Sequence, residues 1–225
     1  MLAHVRLAAA LGACWIALVG AADQDSLESQ VLERINYVRA HPHEYAERLR
    51  DDLGYFDGRI LHLPGDPNGV ITREGPGAVD EAIGFLEHQQ PLPPLDAGDL
   101  LALAARDHVV EQAEGGIGHQ SPDGASPGER VRRRGGDIYV GEVISYGPAD
   151  ADAAVRQFIV DDGVPGRGHR KLLFASDLRF AGVGCGAHPR YRHMCVVDLS
   201  GTPRGTPPLP DRAEAGEIQR ATVSR

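Results

Sequence analysis

Among the histidines and acids of this chain, His119, Glu142 and His169 form a candidate set for holding a divalent ion. His119 falls in Gly118-His119-Gln120-Ser121, a polar loop just past an apolar helical pattern. His169 falls in the segment Pro165-Gly166-Arg167-Gly168-His169-Arg170. Glu142 lies in the middle of a strand pattern, on the face of Val140 and Ile144. A carboxylate on an apolar face is costly unless it meets a cation, a metal or hydrogen-bond donors. Two imidazoles and one carboxylate suit a first-row divalent ion, zinc above all. Ligation needs neutral imidazole, so affinity should fall as pH drops through ~6.5. The same groups could instead only bond one another, with an imidazolium offsetting the burial of Glu142.

Other chemistries fare worse. Gly124-Ala125-Ser126-Pro127-Gly128 has the G-x-S-x-G form of a nucleophile elbow. A buried strand should precede that serine, and a polar loop does instead. The residue after it, Pro127, has no N–H for an oxyanion hole. Ser126 reads better as the cap of a short helix, with Glu129 closing a capping box. No H-E-x-x-H and no P-loop occur. His108 lies on the apolar stripe of its helix and fits either a core histidine or a supporting group at the site.

The elements that must position these residues follow from periodicity. Leu27, Val31, Ile35 and Val38 mark a first helix, and Pro42 opens a turn carrying Tyr45 and Leu49. Residues 51–76 are rich in glycine and proline and read as an irregular excursion. Val79, Ile83 and Leu86 mark a short helix. Asp96 is a candidate N-cap for the helix carrying Leu101, Ala104, Ala105, His108 and Val109. A strand over 139–146, a helix over about 150–161 and a final hairpin complete the core, and a tail runs from 202 to 225. Helices come first and strands late, so the class is α+β with an antiparallel sheet.

Composition narrows the setting. The chain has 225 residues, 42% apolar, with a formal charge of −9. Lys171 is the single lysine, and no basic block exceeds Arg132-Arg133-Arg134. Nucleic acid is therefore not an expected partner. Residues 1–22 carry Arg6, an apolar run from Leu7 to Val19 and the small residues Gly20-Ala21-Ala22, the pattern of a signal peptide. Leu11-Gly12-Ala13-Cys14 also has the form of a lipobox, although the apolar run continues beyond it. No other segment is long and apolar enough to span a bilayer, so a secreted or periplasmic protein is expected. Beyond the leader, Cys185 and Cys195 remain. A hairpin centred on residue 190 sets them opposite each other, within reach of a disulfide; two buried free thiols are the alternative.

Taken in order, these segments resemble the CAP superfamily (cysteine-rich secretory protein, antigen 5, pathogenesis-related 1), in its secreted bacterial branch. The resemblance rests on the helix 31–39 with His41-Pro42, Leu92-Pro93-Pro94-Leu95, Gly118-His119-Gln120-Ser121, Gly141-Glu142-Val143-Ile144, Gly168-His169-Arg170 and Gly182-Val183-Gly184. It covers roughly residues 26–200, with no counterpart for the length of 51–90. It implies an α–β–α sandwich around an antiparallel sheet, the CAP/SCP fold. It implies a cleft of two His and two Glu, at His119, His169 and Glu142, with Asp161 nearest to the second Glu. It implies a divalent metal, zinc by preference, and an extracytoplasmic binding module for a lipid or cell-surface ligand. A metal-dependent hydrolase with Glu142 as general base is the second reading, and a structural envelope protein with a vestigial cleft the third.

Overall fold

The computed structural model describes residues 26–66 and 68–207. The signal-peptide segment and most of the tail lie outside these residues. Ser26 caps the first helix, α1 (Leu27–Ala40), by accepting from the Ser29 amide. Pro42 stands at the start of a full helix rather than a turn, α2 (Pro42–Leu53). The fixed φ of proline suits that first position, and its missing N–H is not needed there. The expected excursion carries three two-residue strands, β1 (Phe56–Asp57), β2 (Ile60–Leu61) and β3 (Val70–Ile71), which pair antiparallel. The helix α3 (Pro76–His88) follows.

Asp96 is not a helix cap. It belongs to a short strand, β4 (Asp96–Ala97), paired with Phe180–Ala181, and helix α4 (Asp99–Glu111) begins after Gly98. The capping box at Ser126 and Glu129 forms as expected and opens α5 (Pro127–Arg133). Then come β5 (Gly141–Tyr146), α6 (Ala151–Val160), α7 (Gly168–Leu173), β6 (Phe180–His188) and β7 (Arg192–Ser200). The helix α7, which carries His169, is too short for periodicity to announce. The main sheet has the order β4-β6-β7-β5. Its three long strands are antiparallel, and the two-residue β4 joins the edge in parallel.

The sheet is covered on both faces. Val143, Val183, Cys195, Val197 and Leu199 pack with α1, α2, α3 and α6 in one large cluster. The alternate positions Ile144, Met194 and Val196 pack against Ala105 and Val109 of α4. Strand alternation thus sends odd-numbered residues of β7 to one layer and even-numbered residues to the other. On β6 the α4 side is a row of glycines. A Cβ at Gly182 would lie 2.0 Å from the Ala102 amide nitrogen, and one at Gly184 would lie 2.6 Å from that of Arg106. The absent side chains let α4 lie directly on the sheet. This fixes the helix whose exit leads to His119. Cys185 and Cys195 are register partners across β6 and β7 and form a disulfide, with Cα atoms 4.2 Å apart.

Candidate functional site

Glu142 is on the even face of β5, toward α5, and its side chain is 1% exposed. Its two oxygens are both engaged. Oε1 accepts from His119 Nδ1 at 2.8 Å, and Oε2 accepts from Nη2 of Arg130. Arg130 is the buried arginine of α5, also 1% exposed at its side chain. A charged guanidinium and a charged carboxylate can share such a site because each relieves the desolvation cost of the other. Arg130 Nη1 also donates to the carbonyl of His119 at 3.0 Å, so one side chain holds both partners.

The loop bearing His119 is fastened one residue earlier, at Gly118. The Gly118 carbonyl accepts from Gln112 Nε2 at 2.6 Å and lies 2.8 Å from His108 Nε2. The Gly118 amide donates to the Tyr146 hydroxyl at 2.9 Å. His108 Nδ1 faces Glu111 Oε2 at 3.1 Å. His108 is therefore a core histidine that positions the loop, and it does not meet the two cleft imidazoles. Ser121 Oγ donates to the same Glu111 oxygen at 2.6 Å. His188, in the terminal hairpin, secures Gly116: its Nε2 donates to that carbonyl at 2.8 Å, while its Nδ1 accepts from two backbone amides.

His169 arrives from the other side. Asp161 ends α6 in a left-handed conformation, φ 56°, a state that Asp adopts more readily than most residues. Its Oδ2 accepts from the His169 amide at 2.9 Å. Its Oδ1 lies 2.8 Å from His169 Nδ1, off the line of a hydrogen bond. Phe158 stands edge-on to the His169 ring, with centroids 6.0 Å apart. The rings of His119 and His169 are themselves edge-to-face, with centroids 6.1 Å apart. His119 is 48% exposed and His169 is 21% exposed at the side chain, so the pair opens to solvent while its carboxylates are buried.

The arrangement is two histidine–carboxylate pairs facing each other. In each, Nδ1 is turned to the acid, leaving Nε2 without a protein partner among the described residues. Glu142 stands behind His119, not beside it as a third ligand. Among the described residues no group of three or more His, Cys, Asp or Glu is disposed to hold a metal. Two imidazoles ligating one tetrahedral zinc through Zn–N bonds of about 2.0–2.1 Å stand about 5.2 Å apart at their centres. The observed 6.1 Å is longer, so the two rings would have to draw together by about 1 Å to share such an ion.

Sequence reasoning missed Arg130 and Asp198. Asp198 is fully buried on β7, opposite Glu142, and neither of its carboxyl oxygens has a hydrogen-bond partner among the described residues. Burial, then the adjoining Glu142 charge, pushes its carboxyl well above the usual carboxylate range. The available signal was the alternation Met194, Val196, Asp198, which sets an acid on an apolar strand face.

The profile of the Cysteine-rich secretory protein family, CAP, matches residues 32–199. The chain belongs to this family. That span includes every residue of the cleft just described. Among solved structures, the chain is similar to an outer surface protein from Borrelia burgdorferi, at 19% identity and a TM-score of 0.40, over 48% of this chain and 77% of that one. It is also similar to an extracellular protein containing a SCP domain from Bacillus anthracis str. Ames, at 21% identity and a TM-score of 0.40. That match covers 63% of this chain and 46% of the other. No curated protein matches. No helix among the described residues is long and apolar enough to cross a membrane.

Proposed function

We propose that this CAP protein is an exported binding module whose cleft takes one divalent ion of the zinc type between His119 and His169. The observation that carries the reading is the pairing of each imidazole with its own buried carboxylate. A ligand histidine commonly donates its second ring N–H to an acid, which fixes the tautomer and raises ligand basicity. Glu142 serves His119 in this way, while Asp161 holds the His169 backbone amide and stands 2.8 Å from its Nδ1. Two protein ligands leave the remaining positions to water or to an oxygen of a bound partner. The ion would supply a Lewis-acidic anchor for such a group. A lipid or cell-surface ligand is the class of partner that the family resemblance suggests for this cleft, and export is supported by the pattern of residues 1–22.

Hydrolysis with Glu142 as general base is the weaker reading. A base must reach the proton it abstracts. Glu142 has both oxygens committed and is buried behind His119.

Calorimetric titration with zinc at pH 7 tests the metal reading. The wild-type protein should bind at one site. His119→Ala and His169→Ala should each abolish binding, and His188→Ala should retain it. Absence of saturable binding by the wild type, or unchanged binding by both cleft variants, would leave the two pairs as a structural polar cluster.

A further inference from the structure

A second recess is lined in part by the residues that flank His169. It is an open pocket of about 570 Å³ between Glu74 with helix α3 and the segment 163–171, which runs into α7. That volume is in the range of small-molecule sites, roughly 300–1,000 Å³. Glu74, Glu81 and Phe85 form one wall, and Val164, Arg167, Arg170 and Lys171 contribute to the other. The first wall belongs to residues 51–90, the stretch for which the family resemblance offers no counterpart.

The charges of this cavity do not cancel. Glu74 is spent on Arg167, whose Nη1 and Nη2 meet its two oxygens at 2.6 and 2.7 Å. Glu81 accepts from Arg167 Nε at 2.6 Å and from Arg170 Nη2 at 2.9 Å. All four carboxylate oxygens are thus engaged with guanidinium groups. Three cations face two acids, and the positive charge left over is Lys171. Its ammonium makes no ion pair among the described residues, and the residue is exposed. Arg170 has a spare donor as well: its buried Nη1 has no hydrogen-bond partner among the described residues. Beside these donors the lining is apolar. Phe85 lies under the Arg170 guanidinium at 5.1 Å, and Val164 and Pro165 extend that surface.

We infer that this cavity is a binding site for a carboxylate attached to an apolar or aromatic body, with Lys171 meeting the carboxylate and Phe85 and Val164 meeting the body. A free aromatic acid and the C-terminus of a peptide ending in an apolar residue share this chemistry. Neutral amides of the same shape lack the charge that Lys171 requires. The site is separate from the metal reading and does not depend on it.

The test is a titration of the protein with 3-phenylpropanoate and with N-acetyl-Gly-Phe, each beside its C-terminal amide, followed by amide chemical shifts at pH 7. At least one carboxylate should bind saturably, with shifts at residues 163–171 and at Phe85. Both amides should fail to bind. Lys171→Met should weaken binding about tenfold, as expected for a lost charged hydrogen bond, and Lys171→Arg should restore most of it. Lys171 is exposed, so these variants leave the fold intact. Binding of the peptide alone assigns the site to chain termini, and binding of the free acid alone assigns it to small acids. The inference is overturned if neither carboxylate binds, if the amides bind equally well, or if Lys171→Met binds as tightly as the wild type.

Discussion

Glu142 and Asp198 are direct partners across β5 and β7, and both carboxyls are buried on the same face of the sheet. One guanidinium, that of Arg130, serves Glu142. Two adjacent buried carboxyls cannot both ionise cheaply against a single cation. Burial and the adjoining Glu142 therefore hold the Asp198 carboxyl well above the usual carboxylate range.

Asp198 should leave a signature in stability against pH. Its carboxyl is held above the unfolded value, so its contribution is fully present below about pH 3.9, where both states hold the proton. As pH rises above that, the unfolded chain releases its proton first, and folded stability falls until Asp198 itself ionises. Asp198→Asn keeps the shape and removes the slope. Its melting temperature should exceed that of the wild type at pH 7, by about 2–4 °C per kcal/mol relieved, and the gap should close toward pH 4. Melting curves between pH 4 and 8 check this, and a gap independent of pH would show that Asp198 does not titrate.

Arg130 should be among the costliest single positions. Arg130→Met leaves Glu142 buried without its cation, for a loss of about 3–5 kcal/mol. The double variant Arg130→Met/Glu142→Leu should recover most of that loss, because it removes the stranded charge. Denaturant midpoints of the single and double variants measure both values.

The carboxylates behind the histidines should tune metal affinity without being ligands. Glu142→Gln and Asp161→Asn should each weaken zinc binding by about 10–100-fold while keeping one site. Complete loss of binding in either variant, in protein that still folds, would make that acid a ligand.

The disulfide should matter to stability and little to the cleft. It closes a loop at a sequence separation of 10 and ties β6 to β7. Replacing both Cys185 and Cys195 by Ser should lower stability by about 2–3 kcal/mol in the chain-entropy model. Zinc titration of that variant, below its melting temperature, should match the wild type.

Much of this protein is local in origin. The period-3.6 runs at 27–40 and 99–111, the capping box at Ser126 and Glu129, and the β-type runs around residue 190 each depend on neighbours close in sequence. They determine the helices, the terminal hairpin and the pairing of Cys185 with Cys195. The types and motifs of His119, Glu142 and His169 point to the cleft in the same way. Roles within the cleft are not local. Whether Glu142 is a ligand or an orienting group depends on Arg130, 12 residues away, and on Asp198, which only strand register places opposite it. The glycines of β6 have their reason in α4, and Asp96 becomes a strand residue only because β6 comes alongside. Propensity acts over a few residues, whereas a buried charge is decided by whichever groups the fold brings within a few ångströms. The tertiary structure alone makes that choice.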